Sequence, residues 1–231
     1  MMLRLCVFLA IFAIKMSSAF ASITIDRTRV IFDATENVAS FTLHNNNDKS
    51  SLVQIWIDDG NIDKSPSLID VPFIVSPQIN EIDAKQSQVI KVKFIGKSVP
   101  VGETLYWLNV LEVPQKGESG KNYIQLAYRT RIKLFLRSSE MKNLSQAESS
   151  DKLKFKFIKG GIMIRNDSPF HITVSNLKLL NDGEGEIDVE GFVINPYELK
   201  EIKVNSTVDF RKLEYSYIND WGGEKTVSVV P

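Results

Sequence analysis

Two cations in this chain could do chemistry together. Arg29 lies in the first strand-like run and Lys133 lies late in a much longer one. Arg and Lys carry donors and no acceptors, so side by side they repel until an anion sits between them. If the two strands meet near a domain junction, the pair forms a cationic cleft. A carboxylate suits it best, because the Arg fork can grip both oxygens. On spacing alone the same residues also read as ordinary outward-facing strand charges. Other reactive groups are sparse. His44 and His171 stand far apart with no cysteine near, which argues against a metal site. Asp58 and Asp59 fall at a strand-to-turn transition and read as solvated turn residues rather than a general acid and base. No Gly-x-Ser-x-Gly elbow, phosphate-binding glycine loop or His-Glu-x-x-His is present. The expectation is binding rather than catalysis, with no metal and no cofactor.

The element that must position Lys133 is the run from Tyr123 to Arg137. Ile124, Leu126, Tyr128, Ile132, Leu134 and Leu136 fall on one face, interrupted by Thr130. Gln125, Arg129, Arg131, Lys133 and Arg137 fall on the other. Period-two alternation predicts one long strand with an apolar face, whereas strands usually have about five or six residues. Left bare at a sheet edge, such a strand is an aggregation hazard. Either it is covered, or its edge pairs with another chain by β-augmentation. Ile124, Leu126 and Tyr128 are then core residues in the first case and donated side chains in the second.

Composition sets the context. Residues 1–21 carry Arg4, an apolar run from Leu5 to Ile14 and the small-x-small ending Ala19-Phe20-Ala21, which reads as an export signal cleaved after Ala21. The apolar run is too short to span a bilayer. The one cysteine, Cys6, falls within it, so the exported chain has no disulfide and no thiol nucleophile. The 28 Lys and Arg balance 28 Asp and Glu, which removes the broad positive field of a nucleic-acid binder.

Strand signals fill the rest: Ile23–Phe32, Val38–Asn45, Leu52–Ile57, Phe73–Ser76 as an edge between prolines, Val89–Ile95, Leu105–Val113 and the long run. Turns every 8 to 12 residues and no helical period predict an immunoglobulin-like sandwich over 22–139. The polar stretch Ser138–Lys152 reads as a boundary. A second strand-rich unit follows over 140–231. The fold class expected is all-β: two immunoglobulin-like β-sandwich domains around an interdomain cleft.

Several stretches carry a family likeness: Ile25–Phe32, Glu103–Pro114, Ile124–Arg137 with Ile132-Lys133-Leu134-Phe135 at its heart, Asn166–Phe170 and Ile218–Gly223. With these the chain resembles the periplasmic pilus chaperones of Gram-negative bacteria over essentially its whole exported length. The resemblance implies donor-strand complementation of an incomplete immunoglobulin-like pilus subunit, followed by transfer to an outer-membrane usher. It assigns carboxylate binding to Arg29 and Lys133, and the donated side chains to Ile124, Leu126 and Tyr128. It also implies an ion-pair cluster of Glu103, Arg137 and Asp220 joining the domains. The short loop Gln115–Asn122 and the lack of cysteines resemble the short-loop branch. The same exposed strand is what a self-capping homodimer would use. The rival readings are a secreted two-domain adhesin or binding protein that uses its loops, and a β-sandwich metalloenzyme.

Overall fold

The computed structural model describes residues 22–113, 124, 126–181, 185–204, 210 and 212–229. Among these, nine strands build the first sandwich: β1 (Ile23–Ile25), β2 (Arg29–Asp33), β3 (Val38–Asn45), β4 (Ser51–Asp58), β5 (Phe73–Ser76), β6 (Ile79–Ile82), β7 (Ser87–Phe94), β8 (Glu103–Val113) and β9 (Tyr128–Arg137). One sheet runs β1-β3-β7-β5 and the other β2-β9-β8-β4-β6. Alternation puts Phe41 and Leu43 of β3, Ile90 and Val92 of β7, Val53 and Ile55 of β4, and Ile132, Leu134 and Leu136 of β9 into one core between the sheets. Phe32, Phe73, Phe94 and Tyr106 close one end of it with edge-on and tilted ring contacts.

The first strand-like run, expected as one strand, is two. Ile23–Ile25 pairs antiparallel with β3, while Arg29–Asp33 pairs parallel with β9 in the opposite sheet. The crossing falls at Asp26–Thr28, where Asp26 donates its N–H to the Thr42 carbonyl at 3.0 Å and its carboxylate takes the Arg27 guanidinium at 2.9 Å. The long strand is also shorter than its sequence suggests. β9 starts at Tyr128, not Tyr123. Ile124 and Leu126 stand outside any strand, 89% and 60% exposed. Tyr123, Gln125 and the loop Gln115–Asn122 lie outside the described residues, as do residues 1–21. Among the described residues no strand lies beside Ile124 and Leu126. The ladder to β8 ends at the Glu112 and Tyr128 pair, and the ladder to β2 begins only at Lys133. A β pattern with nothing to bond to forms no ladder.

The second sandwich has β10 (Lys154–Ile158), β11 (Gly161–Arg165), β12 (Ile172–Leu180), β13 (Glu186–Ile194), β14 (Leu199–Lys203), β15 (Lys212–Ile218) and β16 (Glu224–Val229), in sheets β10-β11-β14 and β13-β12-β15-β16. Its core is built on Ile162, Ile164, Ile172, Leu177, Leu179, Ile194, Tyr215 and Tyr217. The polar boundary segment is more ordered than its composition suggests. It holds a 3-10 turn at Ser139–Met141 and a short helix, α1 (Gln146–Ser150), begun by Ser145, whose hydroxyl accepts the Glu148 N–H at 3.2 Å. Tyrosine hydroxyls from the core of the second sandwich tie it down. Tyr215 donates to the Ser150 carbonyl at 2.7 Å, and Tyr217 to the Asp151 carboxylate at 2.9 Å.

Leu134 is fully buried in the first core. Replacing it with alanine is expected to cost about 2–5 kcal/mol, read as a lower denaturant midpoint of the first sandwich with an unchanged slope.

Candidate functional site

The parallel β2–β9 ladder sets Arg29 directly beside Lys133, so both side chains leave the sheet on the same side. That side faces the second sandwich. Lys133 Nζ donates to Thr173 Oγ1 at 3.0 Å and Arg29 Nη1 to the Ile218 carbonyl at 3.3 Å. Thr173 and Ile218 are themselves cross-strand partners on β12 and β15. Two residue pairs, one from each domain, thus face each other across a cleft. Phe135 and Trp107 back the cations, with ring centroids 6.0 Å from the Arg29 guanidinium and 5.7 Å from Lys133 Nζ.

The electrostatics favour an anion. Arg29 Nε is buried without a hydrogen-bond partner, and a buried donor left unpaired costs free energy. Burial, and then the charge of neighbouring Arg29, pull the Lys133 ammonium down to about 8. The adjoining space is about 620 Å³, lined by Asp26, Arg27, Thr28, Arg29, Ile31, Asp220 and Trp221. Its two carboxylates are already paired, Asp26 with Arg27 and Asp220 with Arg137, so an anion entering there meets Arg29; Lys133, next to Arg29 on β9, is not part of the lining.

Upstream of the cations, β9 has one neighbour instead of two. From Tyr128 to Ile132 it is bonded to β8 alone among the described residues, and its other edge is open. Exposure falls between Thr130 and Ile132, from a solvent-facing Tyr128, 63% exposed, to a buried Ile132. The face opposite the apolar one is held by a cluster that sequence reading misses. Asp58, expected to be solvated, is fully buried. It accepts from Arg131 at 2.5 Å, from Asn109 Nδ2 at 2.7 Å and from Arg129 at 3.4 Å. Arg129 also donates to Asn109 Oδ1 at 2.7 and 2.9 Å and lies over Trp56, while Arg131 lies over Trp107. Nothing in the spacing of Asp58 marks it, because its partners are some seventy residues away in sequence.

The angle between the sandwiches is set by charge. Arg137 donates from Nε to Glu103 at 2.8 Å, and through Nη1 and Nη2 to both Asp220 oxygens at 2.7 and 2.6 Å. Burial works against the Arg137 charge, but the Asp220 hydrogen bonds and the nearby carboxylates outweigh it and raise its pKa above the ordinary arginine value. The second Glu103 oxygen accepts the His171 backbone N–H at 2.7 Å and lies 3.1 Å from His171 Nδ1. His171, isolated in the sequence, is therefore part of the junction. His44 sits at a sheet rim against Ser87. Asn166 presents His171: its amide donates to the Phe170 and Asn195 carbonyls at 2.7 and 2.8 Å and its oxygen accepts from Ser168. This holds the turn that lays Pro169 and Phe170 on the first domain. There Glu103 N–H meets the Pro169 carbonyl at 3.1 Å, and Arg137 lies over the Phe170 ring. The available signal for His171 is its place straight after Pro169-Phe170 in the Asn166–Phe170 motif.

Arg137→Ala strands the fully buried Glu103 carboxylate, at an expected cost of about 3–5 kcal/mol. Denaturation should record that loss, and solution scattering a wider spread of domain angles. Lys133 gives a pH signature. Its folded value of about 8 lies below the unfolded 10.5, so between those values the unfolded chain binds more protons and stability rises with pH. Anion binding has the opposite sign, since an anion in the cleft holds the Lys133 proton. Affinity for acetate is expected to fall as pH rises past about 8, and Lys133→Arg should abolish that fall, as read by NMR titration.

Residues 22–142 match the family described as the pili and flagellar-assembly chaperone, PapD N-terminal domain, and residues 148–229 match the pili assembly chaperone PapD, C-terminal domain. The chain is 33% identical over 217 residues to the chaperone protein MrkB of Klebsiella pneumoniae, covering 90% of this chain and 91% of that protein. Among solved structures it is similar to the CupB2 chaperone of Pseudomonas aeruginosa, at 29% identity and a TM-score of 0.74, over 90% of this chain and 100% of that one. It shares the fold of the Salmonella enterica SafB chaperone, solved in complex with the SafA pilin, with a TM-score of 0.75 at 22% identity over 93% and 99% of the two chains. With both sandwiches matched in order, the chain belongs to the PapD-like family of pilus assembly chaperones.

Proposed function

We propose that this chaperone holds an incomplete immunoglobulin-like pilus subunit by donor-strand complementation. The observation that carries the reading is the open edge of β9 running straight into a cation pair. The subunit adds a strand along that edge. Its terminal carboxylate lies between Arg29 and Lys133, replacing the contacts those cations make to Ile218 and Thr173. Tyr128 then faces the groove left by the subunit's missing strand. Ile124 and Leu126, exposed in the free chain, extend the donated segment once the subunit supplies the neighbour that β8 and β2 do not. Main-chain hydrogen bonds give affinity and the alternating side chains give register. Residues 22–139 form the subunit-binding domain and 140–231 close the cleft, with the Glu103, Arg137 and Asp220 ion pairs fixing the two together. The work is non-enzymatic and needs no cofactor. It takes place in the periplasm after cleavage at Ala21, and ends when the subunit passes to an outer-membrane usher.

Arg29→Ala and Lys133→Ala proteins are expected to fold normally and to lose co-purification with a co-expressed cognate pilus subunit. Replacing Ile124 and Leu126 with serine should weaken capture while leaving the fold intact. Full subunit capture by both cation variants would overturn the anchor.

A further inference from the structure

The turn between β15 and β16 holds an unusual side chain. Trp221 is 95% exposed, although tryptophan is on average highly buried. The backbone beneath it is firmly built. Asn219 Oδ1 accepts the N–H groups of Trp221 and Gly223 at 3.0 and 2.9 Å, and Asn219 N–H and carbonyl bond Gly223 and Gly222 at 2.9 and 3.0 Å. On one side of the indole, both Asp220 oxygens are clamped by Arg137. On the other, Gly222 has a φ of +81° and lies so near the first domain that a Cβ there would collide with Thr28 Oγ1. The turn is thus fixed to both domains, yet it holds a large apolar ring in water. That ring borders the same space as Arg29.

We infer that Trp221 is a specificity-determining contact: it packs on a side chain within the last residues of the bound subunit, so that the cleft selects a carboxylate preceded by an apolar or aromatic residue. The inference rests on the carboxylate-anchor reading given above. The occupant follows from the lining. Arg29 offers charge to the chain end, and extended chain advances about 3.3 Å per residue. A strand anchored at Arg29 therefore carries its next side chains past the lip of the cleft. An aromatic ring gains most there, because stacked or edge-on ring pairs add to plain area burial.

The test uses two labelled ten-residue peptides of alternating valine and threonine with free carboxylates, one ending in two phenylalanines and one in two alanines. Their affinities are measured by fluorescence anisotropy against the unaltered chaperone, Trp221→Ala and Trp221→Phe. The unaltered protein should prefer the phenylalanine peptide by about tenfold. Trp221→Ala should lose that preference with alanine-peptide affinity unchanged, and Trp221→Phe should keep most of it. Equal loss for both peptides, or no change for either, overturns the inference. Arg29→Ala and carboxyl-amidated peptides separate the two layers. If they abolish binding while Trp221→Ala leaves the preference intact, only the Trp221 contact falls. If they leave binding unchanged, the anchor falls and the inference with it.

Discussion

Arg137 between two carboxylates of different domains is the interaction on which the rest depends. Its Nε serves Glu103 in its own sandwich and its two terminal nitrogens serve Asp220 in the other. A buried ion pair of this kind adds little net stability, since desolvation offsets attraction. What it fixes is geometry. Three directional hydrogen bonds allow few domain angles, and one of those brings Thr173 and Ile218 opposite Lys133 and Arg29. Without that angle the two cations would be surface charges with no cleft.

Much of this was legible in the sequence because alternation is a local property. The period-two runs gave the two sandwiches and located the strands of the first; β3 and β5 match their predicted runs end to end. The likeness to the pilus chaperones singled out Glu103, Arg137 and Asp220, which spacing alone reads as solvated charges, and favoured the cleft over ordinary strand charges for Arg29 and Lys133. What stayed hidden is what depends on distant neighbours. Asp58 looks like any turn acid until β8 and β9 lie over it. His171 looks isolated until Glu103 arrives from the other domain. The split of the first strand depends on which sheet each half joins, and the late start of β9 depends on where its neighbours end. β6, with only Ile82 of its four residues buried, is too short for a periodic signal.

The site combines two functions on opposite faces of one strand. The apolar face of β9 runs from the buried Leu136, Leu134 and Ile132 out to the exposed Tyr128 without changing phase. A partner that covers Tyr128 therefore continues the chaperone's own core. The other face carries Lys133, Phe135 and Arg137 toward the second domain, where charge and register are decided. Alternation keeps an oily surface and a charged one on a single strand without mixing them.

The buried Asp58 has a consequence for pairing at this edge. An open strand edge normally frays, and a partner must then meet the entropy of straightening it, about 1–2 kcal/mol for each residue fixed. Here Arg129 and Arg131 are already held by Asp58 and Asn109 and laid on Trp56 and Trp107. The stretch beside Thr130 is therefore straight before any partner arrives. A chain that pairs with this edge would therefore meet hydrogen-bonding groups already in line, and would have less entropy to lose, because of a carboxylate buried behind the strand.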